Sequence, residues 1–390
     1  MKITRRLIVF LLVLAAPLVL FSPAQTTKKA ATKTHYLAYV GTYTTKTESK
    51  GIYEFDFDAD TGKLMAKGVA AETPDPSWLA VHPSGKYLYA ANEAGNASTV
   101  SAFAMDAKSG KLTLLNQMPA LGEDPCYLSF DKTGKYVLVA NYTSGTIAVF
   151  PILADGRLGD HTALRKDQGI LGPNKGHQEG PHAHWIETTA HNHFVYVADL
   201  GLDRVLIYKF NATNGSLTAG EPSESFSATL VPGMGPRHVA FGPGGKFMYV
   251  LGELQSTVTV FANDAQNAYR SVQQISMLPK GFTGRNDAAE IAIHPNGKFL
   301  YASNRGHDSI AVFSINPLKG TLTLAADVLT GGKEPRHFAI DPSGKYLLAE
   351  NQLSNNIVIF KINAETGGLT PTGQVVEVPS PVNLTFVAAE

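Results

Sequence analysis

Apolar residues in this chain fall in short runs, rich in Val, Ile, Tyr and Phe and bounded by Gly and Pro. Runs of that length and composition predict strands, because a helix needs a longer stretch with a 3.6-residue period. Six segments repeat one pattern: Pro or Ala, an apolar run, a Gly-Lys turn, a second apolar run, then Asn or a substitute. They begin at Pro76, Pro125, Pro181, Pro236, Ala288 and Pro335, at intervals of 47 to 56 residues. The third carries two extra residues and a degenerate turn. Turns such as Pro83-Ser84-Gly85-Lys86 supply the positive φ that a tight hairpin requires. An alternating third strand follows each Asn, as in TVSAFAMD from Thr99 and SIAVFSI from Ser309, and a Gly-x-Leu stretch opens a fourth. Four strands per unit of about 50 residues is the signature of a propeller blade.

The seventh unit is divided between the ends. PSPVNLTFVAAE, from Pro379, repeats the first strand only, whereas HYLAYVGTYT from His35, GIYEFDFDADTG from Gly51 and KLMAKGVAAE from Lys63 repeat strands two to four. Joining them in one sheet closes the ring and removes its exposed edges. The predicted fold is all-β: a seven-bladed β-propeller with four antiparallel strands per blade, closed by the N- and C-terminal strands. Residues 35–390 form one domain.

Residues 1–24 are expected to be a signal peptide. Lys2, Arg5 and Arg6 precede an apolar run from Leu7 to Phe21, and Ser22-Pro23-Ala24 offers small residues for cleavage. The run is short for a membrane span, which takes about 20 residues; an uncleaved anchor is the alternative. Residues 25–34 read as a flexible tether. The mature protein is therefore expected outside the cytoplasm, periplasmic or secreted.

The 33 basic residues balance 33 acidic ones, and no basic patch suggests nucleic acid. Cys126 is the single cysteine, so neither an internal disulfide nor a cysteine-based metal site is available. His177, His182, His184, His191 and His193 cluster in sequence. The last two fall in an expected surface turn, however, and no Asp/Glu spacing completes a ligand set, so neither metal nor cofactor is expected.

Superposing the repeats points to a site. The residue after the opening Pro is Ser77, Cys126, His182, Arg237, Ala289, Arg336 or Val382. The residue after the closing Asn is Glu93, Tyr142, Leu200, Glu253, Arg305 or Gln352, with Thr42 from the divided blade. Antiparallel strands bring both sets to one mouth of the central channel. Structural positions repeat one residue type, as Asn92, Asn141, Asn304 and Asn351 do, and are expected to satisfy loop backbone. The varied set is the expected site, although Arg237 and Glu253 can also be read as a structural ion pair. Trp78 and Trp185 are expected to pack between blades.

GPHAH (Gly180 to His184), GPRH (Gly235 to His238), GELQS with Glu253, AEIAIHP with Glu290 and SNRGHDSIAVF with Arg305 resemble motifs of the propeller lactonase family. That family includes 6-phosphogluconolactonases and carboxymuconate-lactonising enzymes, and the resemblance follows blade order along essentially the whole mature chain. It implies His182, His184, Arg237, Glu253 and Arg305 as catalytic candidates. Arg336, Glu93, His238 and Glu290 join them as candidates to contact substrate. The implied activity is hydrolysis of a sugar-derived lactone to the open hydroxy acid, with a small lactone or carboxylate as partner. Glu253 or His182 would be the general base, and Arg237 and Arg305 would polarise the carbonyl. No Gly-x-Ser-x-Gly elbow supports a serine nucleophile. The alternatives are a cycloisomerase of muconate type and a non-catalytic binding propeller of the cell envelope.

Overall fold

The computed structural model describes residues 34–389 apart from 107, 220–226 and 264–268. The expected leader lies outside the described residues, as does the tether apart from Thr34. Among the described residues no helix is long and apolar enough to cross a membrane.

Seven antiparallel sheets form the fold. Blade 1 runs Pro76–Val81, Tyr87–Asn92, Thr99–Met105 and Leu112–Pro119. Blades 2 to 6 repeat it, with innermost strands Pro125–Phe130, Ala183–Thr188, Pro236–Phe241, Asp287–Ile293 and Pro335–Ile340. Blade 7 joins Pro381–Ala388 to His35–Thr42, with Tyr36 opposite Ala388 and Thr42 opposite Pro381, and continues through Gly51–Asp58 and Lys63–Glu72. Each innermost strand contacts the next around the ring, Pro381–Ala388 bridging blades 6 and 1. In blade 3 the outer strand is in two pieces, Ser216–Ala219 and Ser227–Thr229, paired with opposite ends of Arg204–Asn211.

Apolar side chains on both faces of each sheet pack against neighbouring blades, so the second strands of blades 2 and 6, Tyr136–Asn141 and Tyr346–Asn351, are buried throughout. A repeated hydrogen bond locks the blades together. The fully buried Tyr39, Tyr89, Tyr249 and Tyr301 donate their hydroxyls to the carbonyls of Gly110, Gly156, Gly320 and Gly367 in the next blade. Those turns require glycine. Gly320 and Gly367 have φ of 71° and 74°, and a Cβ there would press into the Phe247 and Phe299 rings of the preceding blade.

One irregularity recurs in every innermost strand. The ladder slips just after the opening residue, at Pro76/Trp78, Pro125/Tyr127, Ala183/Trp185, Pro236/Val239, Ala288/Ile291 and Pro335/His337, and opposite Gly41/Thr42 in blade 7. A bulged residue has no cross-strand partner and re-aims its side chain. The bulges therefore present Ser77, Cys126, His184, Arg237, Ala289, Arg336 and Val382 as a ring around the axis.

Candidate active site

Two expected ring members are corrected by this register. In blade 3, Ala183 pairs with Asp199 as Pro125 pairs with Asn141. The ring residue is therefore His184, and His182 falls one place before the blade's opening position. Its carbonyl accepts from Leu200 N, the bond that Asp75, Asp124 and Gly235 make to Glu93, Tyr142 and Glu253 in other blades. In blade 7, Thr42 is the counterpart of the asparagines and Tyr43, whose N–H bonds Ser380 O, is the ring member. The two extra residues of blade 3 precede its first strand, and nothing in their side chains marks that placement.

At the mouth, Glu253 sits between two guanidinium groups: Arg237 Nε is 3.0 Å from Oε2 and an Arg305 terminal nitrogen is 2.9 Å from Oε1. The Arg237 contact is a charge pair without the alignment of a hydrogen bond. Arg237 also donates to Ala289 O, and Arg305 to Asp287 O and Ala288 O. Burial alone would push the Glu253 carboxyl up, but Arg305, Arg237 and Arg336 outweigh it and hold it below its ordinary value. Burial, aided by Arg305, brings Arg237 down to about 10, still a cation at neutral pH. Arg237 is only 3% exposed, so the mouth is tighter than a water-filled funnel.

Beside this cluster a narrow pocket is lined by Ser77, Trp78, Glu93, Cys126, Arg237, Arg336 and Val382, contributed by five blades. Glu93 Oε2 accepts the Tyr43 hydroxyl at 2.7 Å, and the Arg336 guanidinium lies over the Tyr43 ring, 5.2 Å from its centre. Cys126 is buried, with Sγ 3.6 Å from His184 Nδ1, and burial pushes its thiol far up. It is a poor nucleophile for that reason.

The next residue along the inner strands, blade 3 excepted, forms a floor. Trp78 of blade 1 meets His238 of blade 4 and His337 of blade 6 edge to face, with centroids 5.3 and 5.4 Å apart. It also lies against Tyr127 at 4.1 Å. These contacts span the axis, so the pocket is blind. Trp78 thus belongs to the channel and not only to blade packing, whereas Trp185 is buried in the core as expected. Within the floor His238 Nδ1 is 3.0 Å from Glu290, and His337 Nδ1 is 2.7 Å from Glu350. Burial lowers His238 to about 4, despite Glu290. Burial opposes but does not prevent a low Glu290, because His238, His337 and Arg237 stabilise its charge.

The structure therefore brings Arg237, Glu253, Arg305, Arg336 and Glu93 together, with His238 and Glu290 beneath them. His184 joins the same layer through His238, at 5.2 Å. His182 stands aside: its ring stacks on Tyr142 at 4.6 Å and its Nε2 lies 3.6 Å from Glu179, while its backbone N–H donates to Asp199 at 3.0 Å. Tyr43 was missed by a slip of one residue. The sequence signal for Tyr43 is the spacing from Tyr39 to Thr42, which repeats that from Tyr89 to Asn92 and from Tyr301 to Asn304 and so aligns Tyr43 with Glu93 and Arg305. Among the described residues no group of three or more His, Cys, Asp or Glu side chains is arranged to hold a metal ion.

Known proteins share this architecture. Residues 37–386 match the family described as Lactonase, 7-bladed beta-propeller. The chain is 38% identical over 298 residues to the 6-phosphogluconolactonase of Bacillus subtilis, covering 76% of this chain and 82% of that protein. It is 35% identical over 292 residues to the 6-phosphogluconolactonase of Formosa agariphila, covering 73% and 81%. The structure of the periplasmic gluconolactonase of Pseudomonas aeruginosa superposes with a TM-score of 0.85 at 32% identity, over 91% of this chain and all of that one. The chain therefore belongs to the seven-bladed β-propeller lactonase family.

Proposed function

We propose that this protein hydrolyses a sugar-derived lactone, outside the cytoplasm, at the blind pocket between Arg237, Arg336 and Glu93. The observation that carries this reading is the convergence of two guanidinium groups and a carboxylate from separate blades on one narrow pocket. A lactone carbonyl needs an electropositive site for the oxyanion and a base for the attacking water. Arg237 meets the carbonyl oxygen. Glu93, with Oε2 committed to Tyr43, uses its other oxygen on the water. The water oxygen bonds the carbonyl carbon, its proton passes to Glu93, and the carbonyl oxygen takes the negative charge. Collapse breaks the ring C–O bond, and the leaving ring oxygen takes the proton back from Glu93. The new carboxylic acid loses its own proton to solvent. Glu253 acts on this reading as the anchor of Arg237 and Arg305, because a carboxylate shared between two guanidinium groups is a weakened base.

The leader expected at residues 1–24 favours an unphosphorylated lactone, since sugar phosphates are cytoplasmic, and the periplasmic gluconolactonase relative agrees with that preference. The test is purified mature protein with glucono-δ-lactone and its 6-phosphate, followed by acid release against the spontaneous rate. Faster turnover of the unphosphorylated lactone is expected. Acceleration of neither would overturn the lactonase reading, and preference for the phosphate would overturn the export argument.

A further inference from the structure

Three arginines reach the mouth, and they are not equivalent. Arg237 and Arg305 share Glu253 and also donate to backbone carbonyls. The Arg336 guanidinium has neither an ion pair nor a hydrogen bond among the described residues. It lies over the face of Tyr43. Yet it lines the same pocket as Arg237 and Glu93. The charges of Glu93 and Glu253 favour this cation from a distance, but no carboxylate among the described residues occupies its N–H groups, which are open to a ligand in the pocket.

We infer that Arg336 is a further catalytic residue, whose free edge grips the two oxygens that become the product carboxylate, and that Tyr43 is the residue that positions it; this rests on the lactone-hydrolysis reading. Stacking on an aromatic ring occupies the guanidinium face and leaves its in-plane N–H groups available. Two parallel N–H donors match two oxygens on one carbon. During hydrolysis the carbonyl carbon carries two such oxygens, one original and one from water, from the tetrahedral intermediate through to the carboxylate. A bidentate donor therefore gains contact as the reaction proceeds, which is the differential binding that lowers a barrier. The Tyr43 ring is itself fixed, because its hydroxyl donates to Glu93 at 2.7 Å. That bond ties the arginine's platform to the carboxylate assigned to the water, so the two groups keep one geometry.

The experiment compares Arg336→Ala, Arg336→Lys, Tyr43→Phe and Tyr43→Leu with the parent protein. Arg336→Ala is expected to lose about 10²-fold in kcat, the scale of one oxyanion donor, with little change in melting temperature. Added guanidinium ion should restore part of that rate, which no repair of folding would mimic. Arg336→Lys keeps the charge without the fork and should recover little. Tyr43→Phe keeps the platform and should be the mildest variant; Tyr43→Leu removes it and should be clearly worse. D-gluconate is the binding probe, and Arg336→Ala should weaken it at least about tenfold, the value of a charge-assisted pair. The inference fails alone if the parent hydrolyses lactone and Arg336→Ala does so within about twofold. It also fails alone if the lost rate is unmoved by guanidinium and matched by a lost melting transition. If the parent hydrolyses no lactone, the functional reading fails, and gluconate binding decides the subsite: dependence on Arg336 retains it and no binding removes it.

Discussion

Two rings of residues lie side by side at the same end of the blades, and they behave in opposite ways. Asn92, Asn141 and Asn304 repeat one side chain and spend it on loops: their amides donate to the carbonyls of Pro74, Ala120 and Met277. The bulge positions next to them are Ser, Cys, His, Arg, Ala, Arg and Val, and they spend their side chains on the channel or leave them open. The asparagines stand at the same ladder position in their blades and answer the same local need. The bulged residues face a shared space in which seven different neighbours meet, so no single residue type suits all of them. In a closed repeat, uniformity marks what each blade requires, and variation marks what the assembled ring does.

The harshest way to break the comparison is to remove the strand on which both rings depend. Deleting Pro381 onward opens blade 7, removes the buried Val382 and Leu384 from the core, and strips Leu79 N of its bond to Asn383 at 3.1 Å. A fall in melting temperature of more than about 10 °C is expected, since each large buried side chain lost is worth about 2–5 kcal/mol. A truncated chain that melts with the parent would refute closure as a source of stability. Next comes Arg237→Ala, expected to reduce kcat/KM by about 10²-fold or more. Its stability loss should be modest, because Glu253 retains Arg305 at 2.9 Å. Cys126→Ala, at the equivalent bulge, should cost no more than the ordinary substitution effect of about 1 kcal/mol and leave turnover nearly intact. Equal activity losses in the two variants would erase the distinction between bulge residues.

Asn304→Ala should show the reverse balance. It strips Met277 O and Asn286 of partners at 3.1 and 3.0 Å, so denaturant titration should register about 1–3 kcal/mol of lost stability while lactone turnover of the folded protein holds. The smallest effect concerns acid. The folded Glu253 carboxyl is held below its ordinary value of 4.5. Its contribution is therefore complete above the unfolded value and is lost as pH falls through the folded one. Glu253→Gln should lose less stability than the parent between roughly pH 5 and 3, and parallel acid profiles would show that the two arginines do not favour the charged carboxylate.

Much of this was legible from the chain. The strands, their hairpin turns and the division of the seventh blade are local facts, because alternation and positive-φ glycines act within a few residues. The convergence of Arg237, Glu253 and Arg305 followed from equivalent places in successive blades. The inter-blade bond from Tyr39, Tyr89, Tyr249 and Tyr301 to the next turn's glycine was also written in the repeat, as a tyrosine recurring in strand two, and would have been found by asking which buried hydroxyls lacked a local partner.

The sequence by itself therefore determined the number of blades, the closure of the ring and the kinds of charge that meet at its mouth. Tertiary structure alone decided which atoms touch. It set His184 rather than His182 on the ring, brought the Tyr43 hydroxyl onto Glu93, carried Trp78 across the axis to His238 and His337, and laid the Arg336 guanidinium over the Tyr43 ring. Those outcomes turn on the β-bulge, which shifts register by one residue and re-aims a side chain. A bulge is fixed by the packing of seven inner strands around a common axis, and that packing exists only after residues about 350 positions apart have met in one sheet.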